Sequence, residues 1–248
     1  MCVSVESERS EATGMEWSEI ERAMVVFAHP DDAEFGSAGT ASKMAAEGKD
    51  VVYVVVTDGS KGSSDPNATG EELKRIREEE QWNAARVIGV SDVCFLGFDD
   101  GLLVPSLDLR RAISGAIRRY RPDVVIGPNP VRDLSMTVFA QHPDHLAVGE
   151  EALAAVYPAA RDRMTFPELL EQGLEPHSVK EIWIVGTGIS DHFVDISDMM
   201  DVKMRALSAH VSQVNKLDVE KFVPERARQL GEGHGMQYAE AYRRIIIP

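Results

Sequence analysis

Short apolar runs alternate with amphipathic stretches along most of this 248-residue chain. Ala23–Ala28 and Val51–Val56 are unbroken apolar runs of strand length, and such runs belong to strands buried on both faces. Residues 33–47 between them are small and helix-forming, with Gly48 placed to cap the end. Residues 71–88 set Leu73, Ile76, Ala84, Val87 and Ile88 among charges at helical spacing, closed by Gly89. Val93–Leu96 predicts a third strand, Leu107–Arg121 a helix stopped before Pro122, and Asp123–Gly127 a fourth strand. A helix then runs from the His142–His145 segment to about Tyr157. Beyond it, Ile182–Val185 and His192–Val194 read as short strands, Ile196–Ser212 as a helix, and Pro224–Ile247 as containing at least one more.

The strand–helix alternation predicts an α/β fold: a single-domain, Rossmann-like, doubly wound and mainly parallel sheet with helices on both faces. Residues 21–248 form that domain. Residues 1–20 are expected to be a disordered N-terminal tail, polar and acidic at first, with Trp17 docking its end. The Gly/Ser/Asp/Pro-rich segment from Asp58 to Gly70 reads as a loop.

Charge narrows the partners. A formal net charge of −15 opposes nucleic acid and anionic membrane, both of which need basic surface. No stretch has the roughly twenty apolar residues that span a bilayer, and no secretory h-region precedes the domain. Cys2 and Cys94 have no metal-binding spacing and fit a reducing compartment. The expectation is a soluble cytoplasmic protein.

All carboxyl ends of a parallel sheet face one edge, where open α/β sheets hold ligands. His29, Asp31 and Asp32 follow the first strand, Asp58 the second, Asp99 and Asp100 the third, and His142 and His145 the fourth. His29, Asp32 and His145 supply two imidazoles and a carboxylate, enough for a zinc ion with one position left open, and equally compatible with Fe²⁺. Asp31 stands ready as general base, and His142 as an oxyanion or leaving-group partner. Phe35-Gly36-Ser37-Ala38-Gly39 lacks the glycine spacing of a dinucleotide fingerprint.

Two segments carry a family resemblance: His29-Pro30-Asp31-Asp32 and His142-Pro143-Asp144-His145 resemble the signature motifs of the LmbE-like, PIG-L type zinc de-N-acetylases. Thr57-Asp58-Gly59, Arg77-Glu78-Glu79-Glu80, Phe95 to Gly101 and Lys203 to Leu207 with Ala209 to Gln213 are also similar to family segments. The resemblance implies hydrolysis of the N-acetyl group from an N-acetylglucosamine-containing small molecule. It implies His29, Asp32 and His145 as metal ligands, Asp31 and His142 as catalytic groups, and Arg77 and Asp100 as substrate-binding residues. It also implies a homo-oligomer, hexamer or trimer, and makes the block around His234 similar to a C-terminal element that approaches a neighbouring site in some members. Alternatives are a metal-dependent amidase on a non-sugar or thiol-conjugate amide, and, from a different class, a non-catalytic Rossmann nucleotide-binding module. Read alone, His192 and His210 are structural histidines, His177 is a surface one, and Asp58 before Gly59 fits turn chemistry and a functional role equally.

Overall fold

A computed structural model of the chain describes residues 14–133, 141–215 and 218–248. Cys2, most of the expected tail and residues 134–140 before His142 lie outside the described residues.

Seven strands form one sheet. They are β1 (Arg22–Phe27), β2 (Asp50–Thr57), β3 (Asp92–Phe98), β4 (Val124–Pro128), β5 (Glu181–Val185), β6 (His192–Asp195) and β7 (Ala239–Ile246), in the order β3-β2-β1-β4-β5-β7-β6. The first five are parallel, and β7 runs antiparallel between β5 and β6. The expected doubly wound, mainly parallel sheet is present.

Every second residue of β1 serves a different core. Ala23, Val25 and Phe27 pack on one face of the sheet, Met24 and Val26 on the other, all at most 4% exposed. Burying a Val, Phe or Met side chain contributes about 1.5–3 kcal/mol, which is why an unbroken apolar run selects this central position. Helices α1 (Asp32–Ala46) and α2 (Gly70–Ile88) cover the first face, as do α6 (Met200–Ser208) and α8 (Val219–Gly231). Helices α3 (Leu107–Tyr120) and α4 (Pro143–Ala154) cover the second, and the short α5 (Pro167–Glu171) follows α4 in the chain.

Local chemistry sets the helix ends. Thr69 caps α2 by accepting the Glu72 N–H, and Gly89 ends it in the left-handed conformation. Ser106 caps α3 through the Leu109 N–H, and α3 stops two residues before Pro122.

Three regions differ from the sequence reading. Residues 14–20, assigned to the disordered tail, are docked beyond the anticipated Trp17 contact: Trp17 stacks on Trp183 with ring centroids 6.3 Å apart, and Ile20 is 2% exposed. Lys49 ties that segment down, its ammonium donating to the carbonyls of Trp17 and Ile20. The helix expected over 196–212 is broken into a 3-10 turn, α6 and a short α7 (Val211–Val214), with His210 at the break. The C-terminal segment holds α8 but also β7, whose pairing with β5 and β6 recruits residues about fifty positions earlier.

Strand β7 also fastens α1. Glu240 accepts the Gly39 and Thr40 N–H groups at 3.0 and 2.7 Å, in the middle of that helix. Lys203 bonds Glu240 at 2.6 Å and the Phe35 carbonyl at 2.8 Å. In a regular helix the Gly39 N–H would serve the Phe35 carbonyl; the buried ion pair satisfies both groups. Gly39 must be small, since a Cβ there would lie 2.7 Å from Ile196. A Lys203→Met substitution strands a buried carboxylate, and urea denaturation is expected to show a loss of about 3–5 kcal/mol. A loss below about 1 kcal/mol would show that Glu240 is satisfied without the ammonium.

Candidate metal centre and active site

Strand order reverses between β1 and β4, and the crevice at such a switch point is where doubly wound sheets bind ligands. His29 leaves the end of β1, while His142 and His145 open α4 after β4. Helix α4 approaches closely because Gly149 has no side chain: a Cβ there would sit 2.5 Å from the Pro128 carbonyl. His142 is the N-cap of α4 and Pro143 its first residue, where a missing N–H costs nothing.

Three atoms converge in the crevice. His29 Nδ1 lies 3.2 Å from His145 Nε2, His145 Nε2 lies 3.0 Å from Asp32 Oδ2, and His29 Nδ1 lies 3.3 Å from Asp32 Oδ2. Ligand atoms around a tetrahedral zinc are separated by about 3.4 Å, given bonds of about 2.1 Å. The triangle therefore fits a divalent cation with one face open. Asp32 does not cap α1; its Oδ2 instead accepts the His29 N–H at 2.8 Å, closing the loop that carries both residues.

The other nitrogen of His29 is held from behind. His29 Nε2 lies 3.1 Å from both Asp144 Oδ2 and Asp100 Oδ1. A carboxylate behind a ligating imidazole fixes the tautomer and turns the free lone pair toward the metal. Asp144 is fully buried and also accepts the Gly101 and Leu103 N–H groups at 2.7 and 3.2 Å. Sequence reading gave Asp144 no role, although the rule that a ligating histidine needs a second partner points to it. His29, His142 and Asp144 form a second close group, but His29 Nε2, His142 Nδ1 and both Asp144 oxygens are already engaged in hydrogen bonds.

His142 flanks the cluster, its ring centroid 4.8 Å from that of His29. Its Nδ1 accepts the Asp144 N–H at 3.2 Å, so the neutral ring carries its proton on Nε2. Burial, and then the neighbouring His29, hold this imidazole below its ordinary pKa.

Asp31 sits between His29 and α1 at φ 99°, ψ −28°, a conformation costly for a residue with a Cβ. Its carboxylate meets Arg77 Nη2 at 3.2 Å. Burial pushes Asp31 up to about 7, with Arg77 opposing the rise and Asp32 adding to it. Arg77 is 4% exposed and also donates to the carbonyls of Gly59 and Pro30. Asp100 is 5% exposed, and its oxygens face His29 Nε2 and the Lys61 N–H. Arg77 and Asp100 thus stand beside the cluster, engaged with its residues.

The remaining candidates fall outside it. Asp58 accepts the Ser60 and Asp100 N–H groups and is a loop tie. His192 packs on Trp183, His177 bonds the Pro122 carbonyl, and His234 stacks on Phe193. His210 is fully buried against Glu34. A cavity of about 310 Å³ opens beside Asp32 and His145, walled in part by Phe35, Leu146, Val185 and Phe222.

Residues 24–156 match the family described as PIG-L, GlcNAc-PI de-N-acetylase. The chain belongs to the PIG-L family. A diacetylchitobiose deacetylase of Thermococcus kodakarensis is 35% identical over 231 residues, 92% of this chain and 84% of that protein. A probable N-acetyl-alpha-D-glucosaminyl L-malate deacetylase 2 of Bacillus anthracis is 31% identical, over 77% of this chain and 80% of its own length. Among solved structures, the N,N'-diacetylchitobiose deacetylase from Pyrococcus horikoshii superposes with a TM-score of 0.85 at 31% identity, covering 92% of this chain and 85% of that one. Both halves of the His29, Asp32 and His145 triangle, after β1 and after β4, fall inside the stretch that matches the PIG-L family.

The charge balance of this PIG-L crevice predicts how it takes up a cation. Burial lowers His29, but the carboxylates of Asp100, Asp144 and Asp32 outweigh it and raise the imidazole to about 12. His145 is lowered by burial and raised further by Asp32. Metal-free, His29 holds both ring protons at neutral pH; a ligating nitrogen must lose its proton, so cation binding releases a proton and strengthens as pH rises. Calorimetric titration with Zn²⁺ in two buffers of different ionisation enthalpy is expected to show net proton release. Binding with no proton release would contradict this balance.

Proposed function

We propose that the protein is a metal-dependent deacetylase that hydrolyses the N-acetyl amide of an N-acetylglucosamine-containing small molecule. The observation that carries the reading is the triangle of His29 Nδ1, Asp32 Oδ2 and His145 Nε2, with its separations of 3.0–3.3 Å. Membership of the PIG-L family and likeness to diacetylchitobiose deacetylases support the reaction class and the substrate class. Those three residues would hold the cation, zinc by the donor set, with ferrous iron also compatible.

The chemistry such a cation supplies when bound is Lewis acidity toward a carbonyl and a lowered pKa for water. Asp31 accepts the proton of the attacking water. With a pKa near neutrality it is strong enough to take that proton and weak enough to release it to the departing amine. His142 presents its Nε2–H to the oxyanion, and its proton stays there because Nδ1 is occupied by the Asp144 N–H. Arg77 holds the Asp31 carboxylate in place, and Asp100 shares the back of His29 with Asp144. Both border the cluster, and we assign them to the substrate side of the site on the likeness of their segments to the family's.

A nucleotide-binding module fits less well. Its pyrophosphate belongs at the N-terminus of α1, and here Asp31, Asp32 and Glu34 crowd that end and repel phosphate. The net charge of −15 further favours a neutral or amine-bearing sugar, and a cytoplasmic homo-oligomer completes the reading.

Amine release from N-acetylglucosamine, diacetylchitobiose and thiol-conjugate amides tests the proposal directly. Asp31→Ala is expected to retain the metal and lose about 10²- to 10⁴-fold in rate, the range for a general acid–base group. His145→Ala is expected to lose the metal itself, one of three protein ligands being gone. Equal metal content and equal activity in both variants would refute the assignment, and no amine release by metal-loaded enzyme across the panel would refute the substrate class.

A further inference from the structure

Behind Asp31 lies a row of buried polar side chains that the reaction as described does not use. The peptide joining Pro30 to Asp31 is gripped at both ends from one face of α2. Arg77 Nη2 donates to the Pro30 carbonyl at 2.6 Å, and Gln81 Oε1 accepts the Asp31 N–H at 3.0 Å. Positions 77 and 81 are one helical turn apart and share a face. The peptide plane cannot rotate without breaking both bonds, so the positive φ at Asp31 is locked.

Gln81 is itself oriented. Its Nε2 donates to Glu34 Oε1 at 2.9 Å, which leaves Oε1 for Asp31. Glu34 Oε2 meets His210 Nε2 at 3.0 Å. Gln81, Glu34 and His210 are all fully buried. None of these bonds is shared with His29, Asp32 or His145, and Gln81 acts on Asp31 through its backbone.

We propose that Gln81, oriented by Glu34 and His210, is a positioning residue that holds the Pro30–Asp31 peptide and thereby aims the Asp31 carboxylate. The proposal rests on the reading of Asp31 as the base. An N–H that loses its only acceptor lets the strained residue relax toward negative φ, swinging the carboxylate away. Displacement of a reacting group by about 1 Å costs on the order of 10²-fold in rate.

The test is a double-mutant cycle on the metal-loaded enzyme. Gln81→Leu is expected to lower kcat about 10²-fold with KM within about twofold and metal content unchanged. Added to Asp31→Ala, it is expected to cost nothing further, since its effect passes through the missing carboxylate. Glu34→Gln keeps an oxygen for the Gln81 amide and is expected to stay within about threefold of the parent, whereas Glu34→Leu follows Gln81→Leu. Undiminished kcat in Gln81→Leu, a loss explained by missing metal, or an additive effect in the Asp31→Ala background would overturn the proposal. If Gln81→Leu does not fold, the Glu34 pair decides: equal kcat in the two variants overturns it, and a slow leucine variant beside a normal glutamine one upholds it. Full activity in Asp31→Ala alone is a different outcome and sinks the base assignment whatever Gln81 does.

Discussion

A histidine has two ring nitrogens, and His29 can point one at a cation only if something holds the other. Asp144, buried and pinned by two backbone N–H groups, supplies that hold, with Asp100 beside it. The same aspartate orders His142, because its backbone N–H occupies Nδ1 of that ring. One residue of the second motif thus sets the tautomers of two imidazoles, and the loops after β1, β3 and β4 must be correctly placed for it to do so. The sheet order that brings β1 next to β4 is therefore a requirement of the chemistry as well as of the fold.

Charge is unevenly matched in this crevice. Asp31, Asp32, Asp100 and Asp144 are gathered within a few residues of one another in space, and Arg77 and the imidazoles are their cationic partners. Packing acids together out of water is unfavourable unless positive charge joins them. The extra proton of His29 fills that need in the metal-free state, as its raised pKa reflects. A divalent cation brings two charges to the same spot and lets the rings be neutral. Proton and metal therefore compete for one vacancy in the electrostatics.

The parts of the molecule legible in the sequence were those written locally. Buried strands are continuous apolar runs, so β1, β2 and β4 stand out, and the His/Asp clusters follow them directly. Strand β7 is less legible because its burial depends on partners in β5 and β6 that the local pattern does not name. Charged residues mislead most. Glu34, Arg77, Lys203 and Glu240 resemble solvated helix or strand positions, yet all four are at most 4% exposed, each satisfied by a partner at least eighteen residues away. Periodicity reports which positions avoid water; it cannot report which polar groups have found a distant mate. Asp144 is the exception, recoverable from the chemistry of histidine ligation although its partners are remote.

Precision at Asp31 has a structural origin well beyond its loop. Helix α1 begins at Asp32, so any shift of α1 along its axis moves both Asp32 and the proposed base, Asp31. The Lys203–Glu240 pair clamps that helix at its midpoint, using a residue from β7 some two hundred positions later in the chain. Helix α2 grips the other side of the turn through Arg77. A strained φ survives only where the surroundings over-determine it, and here α2 grips the Pro30–Asp31 peptide directly while β7 fixes the helix that peptide leads into. The C-terminal strand, remote from the crevice in sequence, is in this sense part of what keeps a high-energy backbone conformation at the site.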